Sequence, residues 1–441
     1  MKWLSFIMLL SLVMFSNVLL SGEELRPEER IYGLSLIWQE ANYNFAFFDQ
    51  VPHLEWDSTY CAFVPKVLEA ETTLDYYRVL KRFVALLEDG HTSVYFPQEL
   101  TQTREWTYPW VLIKRVDGKA YVRSVGESLL DQLPVGSVIT HIEGESVYDY
   151  ATAEIIPYVT ASTEYHRLDS AYNNLLHGLS GSTVDIRFET PSGDEKSLTL
   201  TRDRWTRDDK WNPDPNISTP RMNLSWHEKD IAIVELNTFA DSGLVEEWVT
   251  SLPELRRAKG LIVDIRKNGG GSSNIGYEIA SWLTNDSLKT SAWRTREHRA
   301  AFKAWGWDEW ATMERWYDGG THGIVPPADG DRLIIPTVVL HDHGTFSAAE
   351  DFLVAIENIP HITTIGRPSG GSTGQPLVFE LPGGGSVRIC TKRDTYPDGR
   401  DFVGVGIAPD IYIEPTVEDI RIGRDVILEH AIDLLSQQIQ P

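Results

Sequence analysis

Cysteine is nearly absent from this sequence: 441 residues contain two, Cys61 and Cys390, and no C-x-x-C pair. The chain therefore carries one disulfide or none, and a disulfide scaffold or thiol redox motif is excluded. Histidines nowhere cluster at zinc-ligand spacing, so no metal and no other cofactor is expected. Basic residues are also scarce. Lys and Arg total 40 against 64 Asp and Glu, a formal net charge of −24. Phosphate binding needs a basic face, so this balance argues against a nucleic-acid partner. Neither G-K-[ST] nor G-x-G-x-x-G occurs, which leaves nucleotide binding without its usual signatures. Beyond the N-terminus, no apolar run is long enough to span a bilayer.

The N-terminus itself is informative. Met1-Lys2 supplies a positive start, residues 3–15 are apolar, and small or polar residues follow at Ser16-Asn17 and Ser21-Gly22. This reads as a secretory signal over residues 1–22, or as an uncleaved anchor given the missing A-x-A pattern. Either places the mature chain outside the cytoplasm, as a secreted, periplasmic or surface-associated protein. Hydrophobic content of 42% with 11% aromatics supports real cores, and the fifteen tryptophans ask for an explanation.

Residues 23–105 read as mainly helical. Leu74, Tyr77, Leu80, Val84 and Leu87 recur at helical spacing behind a cap at Thr72 or Thr73, and Gly90 stands at the position helices prefer for their end. His91 comes next, at a helix-to-strand corner. Such a corner suits a rigidly held general base, and it equally suits an ordinary histidine. From 106 to 205 the pattern turns to short strands, with a hairpin around Pro191-Ser192-Gly193-Asp194. Residues 206–228, with Pro213, Pro215 and Pro220, are expected as a linker. Past it, strands and helices alternate, which predicts an α/β unit with a largely parallel sheet. Residues 293–317 hold Trp293, Trp305, Trp307, Trp310 and Trp316, either a lid over a substrate cleft or aromatics packed on the core.

The chemistry concentrates after the strand at 337–341. A turn, Asp342-His343-Gly344-Thr345-Phe346, delivers Ser347 to the start of a helix whose apolar face is Phe352, Leu353 and Ile356. N–H groups at a helix N-terminus stabilise an anion forming beside them, which is what a serine nucleophile requires. Ser347 and Glu350 also spell an S-x-x-E capping box, worth about 0.5–2 kcal/mol. Upstream, Asn268-Gly269-Gly270-Gly271 follows a buried-type strand. Glycines there allow close backbone approach and free N–H groups, the properties of an oxyanion hole.

Four motifs occur in order: Asp89-Gly90-His91-Thr92, Asp264-Ile265-Arg266-Lys267-Asn268-Gly269-Gly270-Gly271, Gly344-Thr345-Phe346-Ser347-Ala348-Ala349-Glu350 and Gly406-Ile407-Ala408-Pro409-Asp410. Together they resemble the C-terminal processing and tricorn-like serine peptidases. Between the first two, the segment 133–144 is similar to the P-G-D-x-I-x-x-I-x-G signature of PDZ domains, with Ser137 in place of the aspartate. The resemblance implies an α/β fold with a crotonase-like (ClpP/crotonase) core over 229–441. It also implies a PDZ-like β-domain over 106–205, and an N-terminal helical segment over 23–105 carrying the His motif. The implied activity is serine peptidase, with peptide or unfolded protein as substrate.

The same resemblance makes Ser347 the nucleophile, with the Ala348 N–H and one from Gly270 or Gly271 as the oxyanion hole. Processing peptidases pair the serine with a lysine, but Ser372 stands at that position here. The tricorn-like branch uses a histidine, which His91 fits. That branch's glutamate falls at Val403, so the group orienting His91 is sought among Asp401, Ser369, Ser372 and Thr373. With His91 as base, activity is expected to fall below about pH 6–7. The interphotoreceptor retinoid-binding proteins of the same superfamily bind hydrophobic ligands. They supply the alternative, a weak or inactive member that binds hydrophobic ligands or peptides.

Overall fold

A computed structural model describes residues 24–215, 219–228, 230–306, 316–321 and 323–439. The expected signal segment 1–22, and Trp307 and Trp310, lie outside those residues. The N-terminal portion folds as helices α1 (Pro27–Asn44), α2 (Trp56–Glu69) and α3 (Thr73–Ala85). The Thr72 hydroxyl caps α3 by accepting the Asp75 N–H at 3.1 Å. The helix buries Leu74, Tyr77, Leu80 and Val84, the face its spacing marked. Just beyond, Glu88 takes φ 50° and swings the chain through Asp89-Gly90-His91 into β1 (Ser93–Tyr95). That short strand pairs antiparallel with the distant strand Ser386–Cys390, so His91 is fixed to the far end of the sequence.

A seven-stranded sheet follows, with β2 (Val111–Val116), β3 (Lys119–Gly126), β4 (Val138–Ile142), β5 (Thr183–Glu189) and β6 (Glu195–Thr201) as its longer strands. All of these pair antiparallel. Strand β5 alternates buried and exposed at every residue, as a sheet covered on one face requires. The sheet has an apolar cluster of its own. Val122, Ile139, Ile186 and Phe188 meet Ala171 and Tyr172 of helix α4 (Glu164–Asn173) there. The stretch expected as a linker is partly sheet. Trp211–Asn212 pairs with residues 125–126, and β7 (Met222–His227) pairs with β8 (Ile231–Leu236). Met222 and Leu224 lean on the core between exposed Asn223 and Ser225, a two-residue period that the neighbouring prolines obscured.

The last sheet has six strands in the order β7, β8, β9 (Gly260–Asp264), β10 (Thr337–His341), β11 (Ile362–Gly366) and β12 (Ile411–Tyr412). Strands β8 to β12 run parallel, and β7 is antiparallel at the edge. Helices α5 (Gly243–Leu255), α6 (Ser273–Ser281) and α7 (Ala348–Ile356) cover one face through Trp248, Ile279 and Phe352. Helix α8 (Val426–Gln438) covers the other, setting Ile427, Ala431 and Leu435 against Ile262, Val338 and Leu340. Burial on both faces is why β10 reads as an unbroken apolar run, and all five of its residues are buried. Its three aliphatic side chains, Val338, Val339 and Leu340, contribute about 1.5–3 kcal/mol each. The N-terminal helices share this core, with Leu34, Tyr76 and Phe83 in one cluster with Trp248 and Phe352.

Cys61 is exposed and Cys390 buried, and neither is paired. Trp293 packs beside Tyr317 at 6.0 Å between ring centres, whereas Trp305 is 61% exposed. Among the described residues no helix is long and apolar enough to cross a membrane.

Candidate active site

Ser347 sits where β10 gives way to α7, and its backbone is unusual. It adopts φ 59° and ψ −126°, a conformation that costs a residue with a β-carbon about 1–3 kcal/mol. The surroundings hold it there. Phe346 donates its N–H to Asn268 O (3.1 Å), Ser347 to Ser372 O (3.1 Å), and Gly370 to Thr345 O (2.8 Å). The corner turns the Ser347 hydroxyl away from the helix and onto His91, with 3.0 Å between Oγ and Nε2. Glu350 still performs its half of the cap, accepting the Ser347 N–H at 3.1 Å.

His91 is 5% exposed and its ring lies flat on Phe346, 4.8 Å away with 8° between planes. Its Nδ1 is 2.8 Å from Ser372 Oγ. Of the four residues considered for orienting the imidazole, Ser372 is the one that meets it. Ser369 instead donates to Glu350 (2.6 Å) and accepts from the Ile407 N–H (2.7 Å). Thr373 donates to Asp394 (2.9 Å), and Asp401 is held by Arg393 (2.8 Å). Behind Ser372 stands a buried acid, Asp89, with 3.5 Å from Ser372 Oγ to Asp89 Oδ1.

Burial pushes the His91 imidazole down to about 3; the charge of Arg388 adds to the shift and that of Asp394 opposes it. The ring is therefore neutral well below pH 7, and the expected loss of a base at pH 6–7 moves to lower pH. Stability follows the same shift. Below an ordinary value of 6.5 the unfolded chain takes up a proton here that the folded chain refuses. The contribution is complete above pH 6.5 and is lost as pH falls toward about 3, at up to about 1.4 kcal/mol per pH unit. Urea unfolding at pH 7, 5.5 and 4.5 should thus show wild type losing ground to His91→Gln; a constant gap would mean that His91 titrates normally.

Glu350 organises the other wall. It is completely buried, and four donors converge on its carboxyl group. These are the Ser369 hydroxyl (2.6 Å) and the N–H groups of Gly371 (2.8 Å), Ser372 (2.9 Å) and Ser347 (3.1 Å). Burial pushes this carboxyl up to about 8, against all four of those hydrogen bonds. A ring made only of donors fits the carboxylate, and we take that form as the one present.

The glycine loop closes the site. A β-carbon on Gly270 would lie 2.7 Å from that of Ser347, so only glycine permits this approach. Asn268 Oδ1 accepts the Gly270 N–H at 2.9 Å. That bond occupies the Gly270 N–H, and among the described residues no such side-chain acceptor takes that of Gly271. Ala348 opens α7, and a first-turn N–H has no acceptor within its own helix.

Residues 230–413 match the model of peptidase family S41. The chain carries a peptidase family S41 domain. Among curated proteins it is 25% identical over 345 residues to Carboxyl-terminal-processing peptidase 2, chloroplastic, of Arabidopsis thaliana. That alignment covers 76% of this chain but 59% of the Arabidopsis protein, so the chain spans less than two thirds of that relative. It is 22% identical over 360 residues to the C-terminal processing peptidase, chloroplastic, of Tetradesmus obliquus, covering 77% and 68% of the two chains. Its fold is similar to that of mature CPAF, with a TM-score of 0.71 at 14% identity over 94% of this chain and 96% of that one.

The S41 domain supplies Ser347, Glu350, Ser372 and the glycine loop, whereas His91 and Asp89 come from outside it. Two members of the site carried no role in the sequence reading. Asp89 was visible as part of Asp-Gly-His-Thr, yet nothing local announces that its carboxylate turns inward. Glu350 was visible only as a helix cap.

Proposed function

We propose that the chain is an extracytoplasmic serine endopeptidase that cleaves polypeptides through an acyl-enzyme formed on Ser347. The observation that carries this reading is the 3.0 Å contact between Ser347 Oγ and His91 Nε2, made at a strained corner beside a helix N-terminus. As Oγ attacks the scissile carbonyl, His91 Nε2 takes its proton, and it returns that proton to the departing amine. The tetrahedral oxyanion accepts hydrogen bonds from the Ala348 and Gly271 N–H groups, each typically worth about 10²–10³ in rate. Water, deprotonated by the same imidazole, then releases the acyl product. Processing peptidases among the relatives fit a protein substrate.

In this reading residues 229–441 are a crotonase-like core and residues 106–205 a PDZ-like module that receives a peptide by strand addition. Residues 23–105 bring the base, and residues 1–22 direct export. The hydrophobic-ligand alternative finds little support. The cleft of about 570 Å³ beside Gly344 mixes charged Lys114, Arg266, Asp342 and Arg367 with apolar Val116, Ile420 and Ile427, so it offers an apolar guest only part of an apolar lining.

The test is hydrolysis of a panel of unfolded polypeptides with different C-termini by the chain lacking residues 1–22. Cleavage by wild type and its loss in His91→Ala are expected. For a substrate that wild type cuts, kcat/KM should stay flat from pH 7 to pH 5.5, because the depressed His91 pKa keeps the base unprotonated. An acid limb centred near 6.5 would mean that His91 titrates normally and that burial does not depress it. Inertness toward the whole panel would return ligand binding to first place.

A further inference from the structure

We propose that Asp89 is a positioning residue for His91, acting through Ser372 to select the tautomer whose Nε2 accepts the Ser347 proton. The inference rests on the serine–histidine reading above and adds a member to it.

The His91 ring lies between two hydroxyls, Ser347 Oγ at 3.0 Å from Nε2 and Ser372 Oγ at 2.8 Å from Nδ1. A neutral imidazole has one N–H, and a hydroxyl either donates or accepts. Two hydroxyls alone therefore satisfy both tautomers equally. In one of them Nε2–H donates to Ser347 and takes no proton from it. A third group has to break the tie.

Asp89 does so by accepting only. Its Oδ1 is 3.5 Å from Ser372 Oγ, at the long end of a hydrogen bond, so it acts mainly as a fixed buried charge. That charge draws the Ser372 hydrogen toward itself, and the exposed lone pair of Oγ receives Nδ1–H from His91. The carboxylate cannot turn away. It is 2% exposed. Its Oδ2 accepts from Thr92 Oγ1 at 2.6 Å and the His91 N–H at 3.1 Å, and Oδ1 accepts from Ser162 Oγ at 3.2 Å. The Ser162 hydroxyl in turn accepts the Gly90 N–H at 2.9 Å, which leaves its own hydrogen for Asp89. Burial pushes the Asp89 carboxyl up, against the hydrogen bonds of Thr92, Ser162 and the His91 N–H and the charge of Arg388. Because every neighbour is a donor, we take the carboxylate as the form present. The same charge then faces the imidazolium that forms as Ser347 attacks, and contacts of this kind tighten in that state. Of the other acids, Arg393 holds Asp401, and Asp394, whose charge also reaches His91, is held by Lys392 (3.0 Å) and the Thr373 hydroxyl (2.9 Å).

Asp89→Asn is the informative substitution, because the site dictates how the amide sits. The donors at Oδ2 require its oxygen there, so its NH₂ faces Ser372. That NH₂ donates to Ser372 Oγ, turns the hydroxyl hydrogen onto His91 Nδ1, and stabilises the unproductive Nε2–H form. The expected result is a fall in kcat of about 10²–10⁴-fold at unchanged KM. In a Ser372→Ala background the relay is already gone, and Asp89→Asn should cost no more than about twofold further. Equal losses in both backgrounds would mean a purely structural role and would overturn the proposal. A second readout needs no activity. Nitrogen-15 NMR of histidine-labelled protein, with His91 assigned by its disappearance in His91→Gln, should show Nδ1–H in wild type and Nε2–H in Asp89→Asn. Wild type in the Nε2–H form overturns the proposal even if Asp89→Asn does not fold. A wild type inactive on every polypeptide overturns the peptidase reading alone, because the tautomer is still read.

Discussion

Ser347→Ala is expected to lower kcat on an unfolded polypeptide by about 10⁴–10⁶-fold, the scale on which removal of a serine nucleophile acts, with the fold retained. Ser347→Gly should be equally inactive and, unlike the alanine variant, more stable than wild type. The reason is conformational. At φ 59° and ψ −126° both serine and alanine carry the clash of a β-carbon with the backbone, while glycine has none. Relief of that strain, set against the greater freedom of glycine in the unfolded chain, should leave a net gain on the order of 1 kcal/mol. Urea midpoints for the three proteins decide the stability half. A glycine variant no more stable than alanine would mean the corner is not strained, and cleavage surviving in alanine would place the nucleophile elsewhere.

The second large effect is expected at Glu350. Glu350→Gln keeps the volume but sets an NH₂ where two donors now point, so two charge-assisted hydrogen bonds are lost and replaced by repulsion. A cost on the order of 4 kcal/mol follows, at about 1.5–3 kcal/mol for each such bond. Activity should fall with it, by about 10²-fold, because the loosened segment carries Ser372 away from His91 and small displacements of positioning groups cost that much. Chemical denaturation and kcat on the same preparations test both halves together. A variant as stable as wild type would show that the four donors find other partners and that Glu350 does not tie the segment down.

Much of this was legible in the sequence, for identifiable reasons. The apolar run of β10 ends abruptly in a polar turn, and a strand covered on both faces has that pattern. The corner at Ser347 and the glycines at 270 and 271 were visible as local patterns, a serine at the start of a helix and a glycine run after a buried strand. His91 was marked by its motif and by a helix end at Gly90. What escaped was long-range. Ser372 lies 281 residues from His91, and no periodicity ranks it above Ser369 or Thr373, although it alone stands where processing peptidases carry their lysine. Asp401 was the nearest acid in the chain, but proximity in sequence did not reveal that Arg393 claims it. The strand at Met222–His227 was read as linker because prolines precede it, although its alternation is plain once β8 is beside it.

One pairing decides when the site can form. His91 is held beside Ser347 in part because β1 is paired to a strand that begins at Ser386, with Ser93 opposite Arg388. A polypeptide whose residues 386–390 have not yet been made or folded holds Ser347 and His91 on separate unjoined lengths of chain. On the proposed reading, the two halves of the site come together only once residues 386–390 have joined β1.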